Sequence, residues 1–222
     1  MGQFYVCEKF VSINGEAQRA GELACFIRFA GCNLDCSYCD TKWANVDIGP
    51  FEILNEEDIY SYIKETGVKN VTLTGGEPLI QKGMYELIKL LTKDKKLNIE
   101  VETNGSVDIS KYISLGENLS FTLDYKLKGS GMQDKMLTDN YKYISKKDSV
   151  KFVVSNKEDL DIAKQVIDTY DLCQKTRVYI STAFREVEPR EVVEYMKENK
   201  MNDVRLQLQL HKYIWNPEER GV

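Results

Sequence analysis

The stretch "GCNLDCSYCDTKWA", residues 31–44, holds three of the chain's six cysteines, Cys32, Cys36 and Cys39, with three residues between the first pair and two between the second. Thiols this close read as ligands of a metal or a cluster, because a disulfide framework belongs to oxidising compartments and short chains. A structural zinc site closes with four ligands, and the fourth would be a distant cysteine or His211, the only histidine. A cubane cluster held by three cysteines instead leaves one iron open to a small molecule. Spacing alone leaves both readings standing. Cys7, Cys25 and Cys173 are scattered and read as small buried hydrophobes.

Outward from the cysteines the chain alternates. "ELACFIRFAG", "KNVTLTGG", "LNIEVETNG", "LSFTLDY", "SVKFVVS" and "TRVYIST" are short β-rich runs ending near Gly, Ser, Thr or Asn. Between them, "NEEDIYSYIKETG" offers Asn55 as N-cap and Gly67 as stop, "NKEDLDIAKQVIDTY" opens in the same way on Asn156, and "GMYELIKLLTKDKK" spaces Tyr85, Ile88 and Leu91 on one helical face. Strands separated by helices imply parallel βαβ units. An eight-fold barrel usually takes about 250 residues. The shorter chain therefore predicts an α/β, incomplete TIM-like barrel, parallel strands with outer helices, in one domain over residues 1–222. Sites in such folds gather at the carboxyl ends of strands. There lie the cysteine loop, "TGGEP" (74–78), "ETNG" (102–105) and "DYKLKG".

Composition excludes other classes. With 42% hydrophobic and 29% charged residues the chain is ordinary globular protein, and 30 Lys plus Arg against 35 Asp plus Glu, a net charge of −5, argue against direct binding to nucleic acid. No run approaches the roughly 20 apolar residues of a membrane span. The start "MGQFYVCEKF" lacks the apolar core of a signal peptide, so a cytoplasmic location is expected.

"CNLDCSYCD", with an aromatic residue before the last cysteine, and "TGGEP" about 35 residues later together resemble the radical S-adenosylmethionine (SAM) superfamily. The resemblance implies a [4Fe-4S] cluster on Cys32, Cys36 and Cys39, with SAM on the open iron and cleaved by an electron to a 5′-deoxyadenosyl radical. The longer "EKFVSINGEAQRAGELACFIRFAGCNLDCSYCDTKWA", with "TGGEPL", "ETNG" and the late "LQLQLHKYIW", is similar to the 7-carboxy-7-deazaguanine synthase family. That likeness implies contraction of 6-carboxy-tetrahydropterin to a deazapurine on the route to queuosine, with loss of ammonia. It also implies a substrate-binding segment near 8–24 and a closing segment near 203–222.

Carried over by residue, the resemblance assigns Ile13, Asn14, Gly15, Glu16, Arg28, Thr74 and His211 to the pterin, with Arg28 on its carboxylate. Tyr38, Cys39, Asp40, Gly75, Gly76, Glu77, Asp124, Tyr125, Lys126 and Ser181 fall to SAM, and Thr41 to Mg²⁺. Asn14 and Ala17 stand where the family usually has Gln and Gly. A flavodoxin or ferredoxin donor and a homodimer are implied as well. His211 has an alternative in the residues themselves, since "LQLQLH" alternates like a solvated strand, and Trp43 and Trp215 read as packing anchors. Two rivals remain at this point: an activase that installs a glycyl radical in a partner protein, and a non-catalytic zinc module.

Overall fold

The computed structural model describes residues 2–45 and 51–222, in which the alternation becomes one sheet of nine strands. In chain order these are β1 (Phe4–Ile13), β2 (Leu23–Phe29), β3 (Glu52–Leu54), β4 (Asn70–Gly75), β5 (Asn98–Thr103), β6 (Leu119–Tyr125), β7 (Ser149–Val154), β8 (Arg177–Thr182) and β9 (Val204–Leu206). Their spatial order is β3-β1-β2-β4-β5-β6-β7-β8-β9. All pairings from β2 to β9 are parallel. With β3 and β9 at opposite edges the sheet stays open, an incomplete barrel.

One edge departs from the expected parallel arrangement. β1 is antiparallel to both β2 and β3. The loop from Asn14 to Glu22 is too short for a crossover, so β1 and β2 form a hairpin. The "LQLQLH" alternation also fails as a strand: β9 stops at Leu206, and His211 opens a short helix (His211–Ile214).

The helices form where their caps predict. In α1 (Glu56–Thr66) the Asn55 side chain accepts from the Glu57 and Asp58 amides while Asp58 accepts from the Asn55 amide, and Gly67 ends the helix at φ 67°. α2 (Met84–Lys93) buries Met84, Leu87, Ile88 and Leu91, so Ile88 and Leu91 of the expected face lie in the core while Tyr85 packs against it partly buried. α3 (Lys157–Thr169) starts on Asn156, which accepts from the Asp159 amide. α4 (Leu172–Lys175) and α5 (Pro189–Glu198) precede β8 and β9, and α6 is the helix from His211.

The two faces of the parallel sheet differ in kind. Toward the helices point Cys25, Ile27, Phe29, Val71, Leu73, Ile99, Val101, Phe121, Leu123, Val150, Phe152, Val178 and Ile180, all in one apolar core. The alternate residues of the same strands make the other face mostly polar, with Arg28, Thr72, Thr74, Glu100, Glu102, Thr122, Asp124, Lys151 and Ser181 among a few apolar positions such as Phe26 and Val153. Parallel strands covered on both sides ordinarily read as unbroken apolar runs. Here period-two polarity marks an inner face reserved for something other than packing. No helix among the described residues is long and apolar enough to cross a membrane.

Candidate active site

The cysteine loop leaves the end of β2 and is tied down turn by turn. Gly31 O accepts from the Glu77 amide (2.9 Å) and Phe29 O from the Gly76 amide (3.1 Å). Asn33 donates to the Ser106 hydroxyl (2.8 Å), beyond β5. The Ser37 amide and hydroxyl donate to Ser130 O (3.0 Å) and Gly129 O (2.7 Å), beyond β6. The Tyr38 hydroxyl reaches Val153 O in β7 (3.1 Å). Five neighbouring strands thus hold one loop.

Gly75 and Gly76 have a physical reason beyond a flexible turn. Gly75 has φ 145°, and a Cβ there would stand 2.3 Å from Phe29 O; one on Gly76 would stand 2.0 Å from Gly31 O. Glycine lets the β4 turn lie against the root of the cysteine loop. The Glu77 carboxyl, expected at the SAM amino group, has protein partners of its own. Its carboxyl is wholly enclosed and accepts from the Leu79 amide (2.9 Å), the Thr103 hydroxyl (2.9 Å) and the Asn104 amide (2.6 Å). It staples the β4 turn to the β5 turn. Burial lifts its carboxyl to about 7 in spite of these donors.

All six cysteines are free thiols, and of the three scattered ones only Cys25 is fully buried. Asn104 Nδ2 approaches Cys32 Sγ at 3.7 Å and Asn45 Nδ2 approaches Cys39 Sγ at 3.9 Å. Burial pushes the Cys36 thiol up to about 11, an effect the Lys126 ammonium partly offsets, and burial raises Cys32 also. Among the described residues no three His, Cys, Asp or Glu side chains gather tightly enough to hold a single metal ion. A four-iron cluster spreads its ligands wider than one ion does. Three thiols on one strapped loop, with amide donors aimed at two sulfurs, fit such a cluster, whose potential responds to such donors.

Beside the thiols, Asp124 Oδ2 lies 2.9 Å from Lys126 Nζ and 3.5 Å from Lys151 Nζ, and Lys151 Nζ lies 3.0 Å from Glu16 Oε2. Burial opposes the charge on Asp124, yet the two ammoniums hold its carboxyl below the ordinary value. Asn14 accepts from the Thr72 hydroxyl (2.8 Å), and Thr74 donates to Glu102 (2.9 Å). Ile13 ends β1, and the Gly15 carbonyl accepts from the Leu210 amide (3.1 Å). A methyl on Gly15 would fall 2.5 Å from His211 Nδ1, so the imidazole packs on the glycine it was expected to share a site with. Arg28 donates through Nε to Glu8 (3.0 Å), its one bonded donor among the described residues. Thr41 donates to Asp40 (2.9 Å), whose other oxygen faces Lys212 Nζ at 3.2 Å.

Several expectations change. Tyr125 alternates away from Asp124 into the outer core, 5.5 Å from the Phe152 ring, and does not face the site. Trp43 and Trp215 are half-buried rather than core anchors, and Arg220 lies 4.0 Å over the Trp43 ring. Ala17 takes φ 62°, the left-handed region that favours glycine, and Gln207 clamps its peptide from both sides (2.6 and 3.0 Å). Sequence reasoning passed over Glu8, Glu100 and Lys151 and met Glu102 only within "ETNG". A signal was available, since each is a charge at an alternate position of a strand, as Arg28 is.

The chain is similar to known proteins along its length. The Radical SAM superfamily pattern matches residues 26–125. A 7-carboxy-7-deazaguanine synthase of Clostridium acetobutylicum is 54% identical over 219 residues, covering 99% of both chains. One of Chlorobaculum tepidum is 32% identical over 220 residues, covering 98% of this chain and 96% of its own. The crystal structure of QueE from Escherichia coli superposes with a TM-score of 0.74 over 92% of each chain at 22% identity, a likeness of fold. Membership of the radical SAM superfamily implies a [4Fe-4S] cluster and SAM. By its cysteine loop, its open sheet and its end-to-end identity to these relatives, the chain belongs to the 7-carboxy-7-deazaguanine synthase family of the radical SAM superfamily.

Proposed function

We infer that this chain is a radical SAM lyase that converts 6-carboxy-5,6,7,8-tetrahydropterin to 7-carboxy-7-deazaguanine with loss of ammonia, in queuosine and 7-deazapurine biosynthesis. One observation carries the reading. Among the described residues seven buried side-chain atoms lack a hydrogen-bond partner, and six of them, Asn14 Nδ2, Glu16 Oε1, Asn45 Oδ1, Asp124 Oδ1, Ser149 Oγ and Ser181 Oγ, lie on the inner face or at the thiols. A buried polar atom without a partner costs about 1–3 kcal/mol. Six such atoms on the inner face and beside the thiols are suited to ligands rich in donors and acceptors, as a pterin and SAM are.

Cys32, Cys36 and Cys39 would hold the cluster, which with SAM supplies a hydrogen-abstracting adenosyl radical. The protein's own part is to bind, orient and keep water out. Asn14, Glu16 and Thr74 would take the pterin edge, while Gly15 gives the ring room beside His211. The free end of the Arg28 guanidinium would hold the pterin carboxylate, with Glu8 fixing the other side of the fork. Asp124, Ser181 and the turn at Gly76 would receive SAM, with Tyr38, Asp40 and Lys126 beside it. Thr41 suits Mg²⁺ because its hydrogen is engaged by Asp40, leaving oxygen lone pairs for a hard cation. A single domain, a cytoplasmic setting, a homodimer and a flavodoxin or ferredoxin donor complete the proposal.

The test is anaerobic reconstitution with iron, sulfide, Mg²⁺, SAM, a reductant and the carboxypterin. Mass spectrometry should find 7-carboxy-7-deazaguanine. SAM cleavage without that product would assign the chain another radical SAM reaction, and a colourless protein holding one zinc would overturn the cluster itself.

A further inference from the structure

The inner face carries a string of four charges that the residue assignments above leave without a centre. Glu16 Oε2, Lys151 Nζ, Asp124 Oδ2 and Lys126 Nζ follow one another at 3.0, 3.5 and 2.9 Å, and the Lys126 ammonium acts in turn on the Cys36 thiol. The string joins the N-terminal segment, β7, β6 and the cysteine loop. Lys151 is its middle. The side chain is 12% exposed, and burial disfavours its charge, but Glu16, Asp124 and Glu102 outweigh that and hold its pKa well above the ordinary value. It remains an ammonium throughout the working pH range and therefore gives and takes no proton. Its register partner across the sheet is Asp124. Each of the two carboxylates it holds keeps its second oxygen buried without a partner, Glu16 Oε1 and Asp124 Oδ1.

We propose that Lys151 is a positioning residue that locks the substrate side of the site to its SAM side, aiming Glu16 Oε1 at one ligand and Asp124 Oδ1 at the other. The inference rests on the reading under Proposed function. Without the ammonium, three carboxylates, Glu16, Glu102 and Asp124, face one another in a dry space and repel. Both free oxygens then lose their aim together. A shift of about 1 Å in a reacting pair is worth on the order of a hundredfold in rate, so a shared support matters to both ligands at once.

The experiment compares the reconstituted holoenzyme with Lys151→Met, a side chain of similar length without charge. Iron, sulfide and the electron paramagnetic resonance signal should match the unaltered protein. The KM values for SAM and for the carboxypterin should both rise, each by about tenfold or more, and the ratio of 5′-deoxyadenosine to ring-contracted product should climb. A merely structural role would lower the folded fraction and leave both KM values alone, which overturns the proposal, as does a rise in only one of them. Should Lys151→Met fail to fold, the double variant Lys151→Met/Glu16→Gln removes one buried charge of each sign. Its KM for SAM should still rise although Glu16 belongs to the substrate side, and an unchanged KM for SAM overturns the proposal. If the unaltered enzyme cleaves SAM but forms no product, the functional reading fails instead.

Discussion

The two faces of the sheet are made by alternate residues of the same strands, and they follow opposite rules. On the outer face, Ile27, Leu73, Val101, Phe121 and Phe152 are sealed beneath α1, α2 and α3 with nothing left unsatisfied. On the inner face, Asn14, Glu16, Asp124 and Ser181 keep buried atoms without partners, and carboxylates crowd together. Stability is concentrated on one face and chemistry on the other, separated by a single residue step along each strand. A substitution on one face should therefore move one property and spare the other.

The largest break in that comparison is Cys36→Ala. It should abolish cluster retention and SAM cleavage, read as iron content and 5′-deoxyadenosine, while the urea midpoint of the metal-free protein stays near that of the parent. Leu73→Ala does the reverse: as a fully buried outer-face residue it should lose about 2–5 kcal/mol in urea unfolding. Ser181→Ala, on the inner face, should raise stability slightly, since the buried hydroxyl it deletes has no partner, and raise the KM for SAM.

Arg28→Ala sharpens the contrast within the inner face. Cluster assembly should persist while kcat/KM for the carboxypterin falls about 10- to 100-fold, the worth of a hydrogen bond to a charged group. Equal loss of cluster and turnover would make the Glu8 pair structural. The pH dependence of stability offers a finer test. Burial, helped by the charge of Glu102, lifts the Glu100 carboxyl from its ordinary 4.5 to about 7. The folded state then holds this proton more tightly than the unfolded chain, so the contribution is complete below pH 4.5 and is lost as pH rises through about 7. Glu100→Gln should flatten that decline in urea unfolding measured across the interval. The smallest effect is at Ala17, where glycine at φ 62° relieves left-handed strain and should stabilise by about 0.5–1 kcal/mol, seen as a small rise in Tm.

Much of this was legible in one dimension because it is local. The spacing of Cys32, Cys36 and Cys39 announces a metal or cluster site, which only the companion "TGGEP" turns toward a cluster, and Asn55, Gly67 and Asn156 announce helix ends, since a cap bonds within three residues of itself. Arg28 stood out as a charge inside an apolar run, and the same reasoning applied to Glu100, Glu102 and Lys151 would have found them. Glu77 shows where such reasoning stops. Beside a glycine pair it reads as a ligand group, but its partners Thr103 and Asn104 come from another strand and enclose it completely.

By itself the sequence determined the candidate cluster loop, the βαβ alternation and the family, all of which rest on spacings short enough to be set by backbone geometry. Only the tertiary structure decided what those pieces face. Lys151 meets Glu16 across 135 residues, Gln207 clamps Ala17 across 190, and His211 comes to rest on Gly15. Those meetings depend on the order of strands in the sheet and on the return of the C-terminal segment across its inner face. Neither leaves a trace in local periodicity, because each follows from how the whole apolar face is buried.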